Sequence, residues 1–339
     1  MKRILLISVF SILLLANTIG ATFELSDLLN PDSILIGNDR IYVTEGVSIY
    51  IYSKDDLKLI NKFGKKGEGP GEINTSRRGG VSLNLSETKG KLFIQNRSKV
   101  LFFTKDGKFL SEKKLNGGFI REMIPLSDYF VARSFKFSEN RTRSESVTIF
   151  SSNFTKIGEI NGKTSELSRG SFFKIYYDNN IFKMRAFDNK LYLNDSKAFL
   201  IKVFNKKGKR INSISIKYSL LNIGSKTKEE IKNYYKNESR FSSFWERIKT
   251  MFDISETYPA IKNFFVTGNL IYVQTYKHSE KGYEFYILDK TGKPIRKKNI
   301  QIIRKNIMED YPYFISGQKI YSLVEDEDEE EWKLIVQNI

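Results

Sequence analysis

The sequence predicts an all-β fold, a six-bladed β-propeller of four-stranded antiparallel blades, and three observations carry that expectation. Helical periodicity is scarce before residue 220, while short runs rich in Tyr, Ile, Val and Phe recur along the 339 residues, as strands do. One strand type occurs six times: RIYV (40 to 43), KLFI (91 to 94), YFVA (129 to 132), KLYL (190 to 193), LIYV (270 to 273) and KIYS (319 to 322). Five of these are followed by a strand, a turn and a further strand, as in VLFFTKDGKFLSEKKL and EFYILDKTGKPIRKKNI. Counting a short apolar stretch ahead of each (SILI, VSLNL and KNFFV), a unit holds four strands in about 40 to 50 residues, the arithmetic of a propeller blade.

Lys2 and Arg3 are followed by an apolar run of 13 residues, Ile4 to Ala16, and then by NTIGA. A basic start, a short apolar middle and a small-residue exit predict a secretory signal over residues 1–20. The run is shorter than the roughly 20 apolar residues that span a bilayer. The mature chain, residues 21–339, is therefore expected to be periplasmic or secreted. With no Cys in the chain, it has neither disulfides nor a lipoprotein anchor, and packing must hold the fold together.

TFEL, directly after the signal, is a strand without a neighbour, whereas the sixth unit ends one strand short after PYFI, KIYS and WKLIVQNI. In a ring the two defects cancel: the N-terminal strand completes the last blade and leaves no open edge. Within the units, Asp106-Gly107, Lys207-Gly208 and Thr291-Gly292 supply the positive φ of a tight hairpin. Residues 225–252 break the β pattern. There Thr227 and Glu230 have capping-box spacing, and Phe241, Phe244, Trp245, Ile248 and Phe252 share a helical face, so a small two-helix insertion is expected, its apolar stripe packed on the propeller.

The segment NKFGKKGEGPGE (61 to 72) raises the question of a phosphate loop. Counting from Gly64, Pro70 stands where a Walker loop requires Lys, and Glu72 stands where a dinucleotide fingerprint requires its third Gly. The segment is read instead as the crossover from the first blade to the second, stiffened by Pro70. Phe63, Gly64, Gly67, Gly69, Pro70, Gly71 and Glu72 also carry a resemblance. Together with the IYV-like strands and Gly hairpins, they make the chain from about residue 22 onward resemble the bacterial six-bladed β-propeller family related to NHL-repeat proteins. The resemblance implies the fold and an extracytoplasmic address, and little about biochemistry.

The inventory excludes several chemistries. His278 is the single histidine, so multi-histidine metal centres are ruled out. No G-x-S-x-G elbow accompanies any serine. The acidic run Glu325 to Glu331 lacks the spacing of a compact calcium loop and reads as a hairpin loop. No metal and no cofactor are expected. The formal charge of +17 is spread over scattered lysines, which suits a solvated surface and leaves an anionic envelope polymer as a partner; a nucleic-acid partner is not expected.

These readings predict an extracytoplasmic binding or scaffolding module for a protein, peptide or glycan ligand. The alternatives are a propeller lyase or lactonase-like hydrolase, and a structural subunit of an envelope assembly. Because strands alternate in direction, the loops between second and third strands and the crossovers between blades share one face, and the minimal Gly turns occupy the other. Long loops on a rigid scaffold are where binding resides. The expected ligand-binding residues on that face are Arg77, Arg78, Arg133, Arg185, Trp245, Tyr258 and His278, chosen for anion contacts and flat aromatic surface.

Overall fold

The computed structural model describes residues 20–75, 81, 83–96, 99–115, 119–137, 142–166, 183–194, 198–251, 254–326, 328 and 330–339. The expected signal, Arg77, Arg78 and Phe252 lie outside them. Six four-stranded antiparallel sheets form a ring. Blade 1 contains β2 (Ser33–Ile36), β3 (Arg40–Glu45), β4 (Ser48–Ser53) and β5 (Leu59–Phe63). Blade 2 contains β6 (Leu83–Thr88), β7 (Lys91–Asn96), β8 (Lys99–Thr104) and β9 (Phe109–Lys114). Blade 3 contains β10 (Phe119–Leu126), β11 (Tyr129–Phe137), β12 (Thr142–Phe150) and β13 (Lys156–Glu166), and blade 4 β14 (Met184–Phe187), β15 (Lys190–Asn194), β16 (Leu200–Asn205) and β17 (Arg210–Ser215). Blade 5 contains β18 (Asn263–Thr267), β19 (Leu270–Ser279), β20 (Gly282–Asp289) and β21 (Pro294–Ile300). Blade 6 contains β22 (Tyr313–Ser316), β23 (Lys319–Asp326) and β24 (Glu331–Asn338), completed on its outside by β1 (Ala21–Glu24).

Each blade's middle strands face a neighbouring blade on either side, so their sequences are largely apolar. In β3, Ile41 and Val43 pack in the cluster shared with blade 6, while Tyr42, between them, packs in the cluster shared with blade 2. The period of two thus divides one strand between two interfaces. Six apolar clusters fill the six seams between blades. The outer strands are exposed, as in β5 and β9. The first strands of the blades surround a central channel of about 800 Å³.

The ring closes as the sequence predicts. β1 pairs antiparallel with β24, Ala21 opposite Val336 and Glu24 opposite Lys333. Trp332 reinforces the seam: its carbonyl accepts from Leu25 N–H, its indole N–H donates to the Leu29 carbonyl at 2.9 Å, and its ring packs edge-on against Tyr311.

The glycine segment is the crossover from β5 to β6, and its amides serve the chain's own carboxylates. Gly69 N–H donates to Glu72 and Gly71 N–H to Glu112, both at 3.0 Å. Lys99, almost fully buried, bonds the Gly69 carbonyl and the Glu112 carboxylate, each at 3.2 Å. Gly64 has φ +114°, and a Cβ there would lie 2.0 Å from the Val47 carbonyl oxygen, so this position demands glycine on both counts.

The insertion is helical and begins at Ser225 as expected, but without the expected cap. α1 spans Ser225–Asn237, with Gly224 at its N-cap and no side-chain cap, so the Thr227–Glu230 spacing does not form a capping box. The chain is already committed at Ile223, which is buried and whose N–H bonds the Glu256 carbonyl. α2 (Ser239–Ser242) and α3 (Trp245–Ile248) follow. The stripe packs mainly within the insertion: Trp245 and Ile248 gather with Phe241, Phe244 and Tyr235 of α1. The contact with the ring is made by Ile231, which with Ile223 and Ile254 meets Ile307 and Met308 of the crossover between blades 5 and 6. No described helix is long and apolar enough to cross a membrane.

Two stability measurements test this packing. Deleting residues 22–26 removes the closing strand and the buried Leu25, and is expected to cost about 3 kcal/mol or more by denaturant unfolding and to promote self-association through the uncovered β24 edge; an unchanged midpoint would refute closure through β1. Lys99→Met strips the partner from Glu112 and is expected to cost about 3 kcal/mol, whereas Lys65→Met, at the exposed ion pair with Glu72, is expected to cost under about 1 kcal/mol.

Candidate functional site

The alternation of strand direction places all crossovers and the loops between second and third strands on one face, and a polar cleft opens there over blade 5. It has two lobes, of about 280 and 360 Å³, that share Lys262, Tyr276 and Arg304. Their walls come from the β17-to-β18 and β21-to-β22 crossovers and from the outer end of β19.

Local irregularities shape each wall. In β19 the pairing with β20 jumps from Gln274–Phe285 to His278–Tyr283, so residues 275–277 bulge out of the ladder. That bulge brings Tyr276 against Tyr258, rings stacked with centroids 4.8 Å apart. Tyr258 is held at the base of the insertion by its N–H to the Leu221 carbonyl and by the Asn222–Thr257 bridge beside it. On the other side, a small hairpin closed by the Arg304–Asp310 bridge presents both residues to the cleft.

Lys262 lies at the centre. Its ammonium donates to the Tyr283 hydroxyl at 2.7 Å and pairs with the Asp310 carboxylate at 2.6 Å, and it sits 3.9 Å from the Tyr283 ring centroid. Tyr283 in turn donates to Asp310 at 3.0 Å. Both Asp310 oxygens, at 2.6 and 2.8 Å, and the Tyr283 hydroxyl thus face the three N–H donors of the ammonium. Burial pushes the Lys262 ammonium down to about 8, with Arg304 and Lys183 adding repulsion against the opposing pull of Asp310. Partial burial, and then the charges of Arg304 and Lys262, hold His278 below its ordinary value. The cleft is an electropositive pocket with an aromatic wall.

The predicted residues that the structure describes separate into four places. Tyr258 and His278 line one lobe together, and His278 sits edge-on to Tyr283 at 4.6 Å. Arg185 lies on β14 in the central channel, donating to the Phe264 carbonyl and to Asn263 Oδ1, each at 3.1 Å, with its guanidinium over Phe264 and Phe265. Arg133 is 3% exposed inside blade 3, between Glu122 on β10 and Glu145 on β12, at 3.6 and 3.9 Å. Trp245, 8% exposed, belongs to the insertion's own core. Lys262, Tyr276, Tyr283, Arg304 and Asp310 escaped the sequence reading, because no motif links positions so far apart. The pattern of β19 alone held a clue, since LIYVQTYKHSEKGY is too long for the regular hairpin of the other blades.

No protein-family model matches the chain, and no curated protein matches it. Solved structures that it resembles include the β-propeller domain of Cps50 (Swd1) from Myceliophteria thermophila, 9% identical over 95% of this chain and 99% of that one, with a TM-score of 0.44. Hsv2 of Kluyveromyces lactis is 10% identical over 88% of this chain and 94% of that one, with a TM-score of 0.39. A protein of unknown function from Bacteroides caccae is 11% identical over 86% and 82%, with a TM-score of 0.38. The likeness concerns the fold alone.

Among the described residues, no three His, Asp or Glu side chains converge as metal ligands do.

The electrostatics of Lys262 predict a titration. In lysine-labelled protein its Cε resonance is expected to move with a midpoint near pH 8, apart from the surface lysines near 10.4. Arg304→Gln should raise that midpoint by removing a like charge, and Asp310→Asn should lower it. Because the folded state holds this proton less tightly than the unfolded chain, the group favours folding increasingly as pH rises from about 8 to 10.5; a midpoint shared with the surface lysines would refute the burial.

Proposed function

We propose that this chain is an extracytoplasmic binding propeller, related to the bacterial NHL-repeat-like family, that holds an anionic ligand in the blade 5 cleft on its long-loop face. The observation that carries the reading is the meeting of Tyr258 and His278 with Lys262, Tyr276 and Arg304 around one pocket. A flat aromatic pair beside Lys262 and Arg304 suits a ligand with one apolar face and one acidic group. Binding fits the arrangement better than acid–base catalysis, because Asp310 and Tyr283 already engage the Lys262 ammonium. The signal at residues 1–20 supports a periplasmic or secreted address, tested by N-terminal sequencing of the protein recovered from the medium or periplasm. Arg185 belongs to a supporting network beneath the cleft, while Arg133 and Trp245 support the scaffold.

The test is an array of neutral and acidic oligosaccharides and short peptides probed with the intact mature protein. Tyr276→Ala and Arg304→Ala should each weaken the principal hits about tenfold or more. Lys105→Ala and Lys207→Ala, in turns on the opposite face, should leave them unchanged. Hits lost in the turn variants and kept in the cleft variants would place binding on the other face and overturn the reading.

A further inference from the structure

A chain of hydrogen bonds with a forced direction ends at the cleft. Arg185, which can only donate, gives an N–H to Asn263 Oδ1 at 3.1 Å. The amide of Asn263 is thereby oriented, and its Nδ2 donates to the Tyr313 hydroxyl at 2.9 Å. Having accepted there, Tyr313 donates to Gln274 Oε1 at 2.5 Å. One cation thus settles which way each amide faces, an assignment that electron-rich atoms alone leave ambiguous. What remains at the end is Gln274 Nε2, a donor on a side chain with 0% exposure that has no acceptor among the described residues. Burying such a group without a partner is unfavourable, and Gln274 lines the same lobe as Lys262 and Arg304.

We infer that this lobe binds a carboxylate carried on a six-membered ring, one oxygen taken by Gln274 Nε2 and the other drawn to the positive charges of Lys262 and Arg304, with the ring against Tyr276, itself backed by Tyr258. The inference rests on the proposed binding function and names its ligand class. Three features select this chemistry. An amide N–H offers one oxygen a hydrogen bond, and the cations Lys262 and Arg304 in the same lobe attract the other. Lys183, Lys262 and Arg304 against Glu309 and Asp310 leave the lobe a surplus of one positive charge, which matches a monoanion and disfavours phosphate or sulfate dianions. The stacked tyrosines supply an apolar face about one ring wide. A sugar acid and an aromatic acid share these properties.

The experiment is an NMR titration of the intact mature protein with D-galacturonate, benzoate, D-glucose and sulfate. One or both of the carboxylates should shift the Gln274 side-chain NH2 signals, and glucose and sulfate should not; which acid binds more tightly identifies the source. Gln274→Glu keeps the acceptor for Tyr313 and replaces the donor by an acceptor, so it should weaken carboxylate binding at least tenfold. Gln274→Met removes the donor without adding charge and should weaken it as well, while Lys105→Ala should not. Carboxylate binding that survives both Gln274 variants, or sulfate binding that equals it, overturns the inference. If neither acid binds while array hits still require Arg304 and Tyr276, the carboxylate assignment falls and the binding face stands. If the hits require neither residue, both fall.

Discussion

The middle strands of the blades carry apolar residues toward both faces, and this forces the rest of the architecture. A sheet of the type Ile41-Tyr42-Val43 leaves one face wet if it stands alone, and leaves one wet at each end of a row. A closed ring removes both ends. The six apolar clusters sit between blades, so a blade's stability is a property of its two neighbours as much as of its own ladder. Closure then depends on the pairing of β1 with β24, where Trp332 ties the strand, the following loop and Tyr311 into one seam.

Rigid closure leaves the loops as the place where one blade can differ from the others. Blade 5 uses that freedom at three points. Its second strand bulges after Gln274, the crossover before it carries the helical insertion, and the crossover after it folds into a small hairpin. The insertion makes its ring contact through Ile231 against Ile307 and Met308, which also line the cleft, so α1 braces one wall of the pocket. Beneath the pocket, the Arg185–Asn263–Tyr313–Gln274 chain joins the central channel to the cleft, since Asn263 and Tyr313 line both. A continuous chain of hydrogen bonds therefore runs from the channel to the cleft.

The glycine segment shows how the same local sequence serves two kinds of site. Backbone N–H groups in a Gly-rich turn attract anions, and here the anions are supplied within the chain, by Glu72 and Glu112. Pro70 and the absence of a following helix were readable in advance. That Lys99, some 30 residues on, would be drawn into the loop was not.

The sequence by itself determined the strand content, the six-fold repeat, the hairpins at Gly107, Gly208 and Gly292, and the closure by residues 21–24, because each depends on local periodicity or on counting strands in a ring. It also placed the long loops on one face, which follows from alternating strand direction. Tertiary structure alone decided the chemistry. Arg133 and Trp245 have the residue types of binding sites and are buried by neighbours distant in sequence, Glu122 and Glu145 in one case and Tyr235 in the other. Conversely Lys262, Tyr283 and Asp310 carry no motif, and become a site because three segments of chain converge there. Burial and pairing are sums over neighbours in space, and a sequence lists neighbours only along the chain.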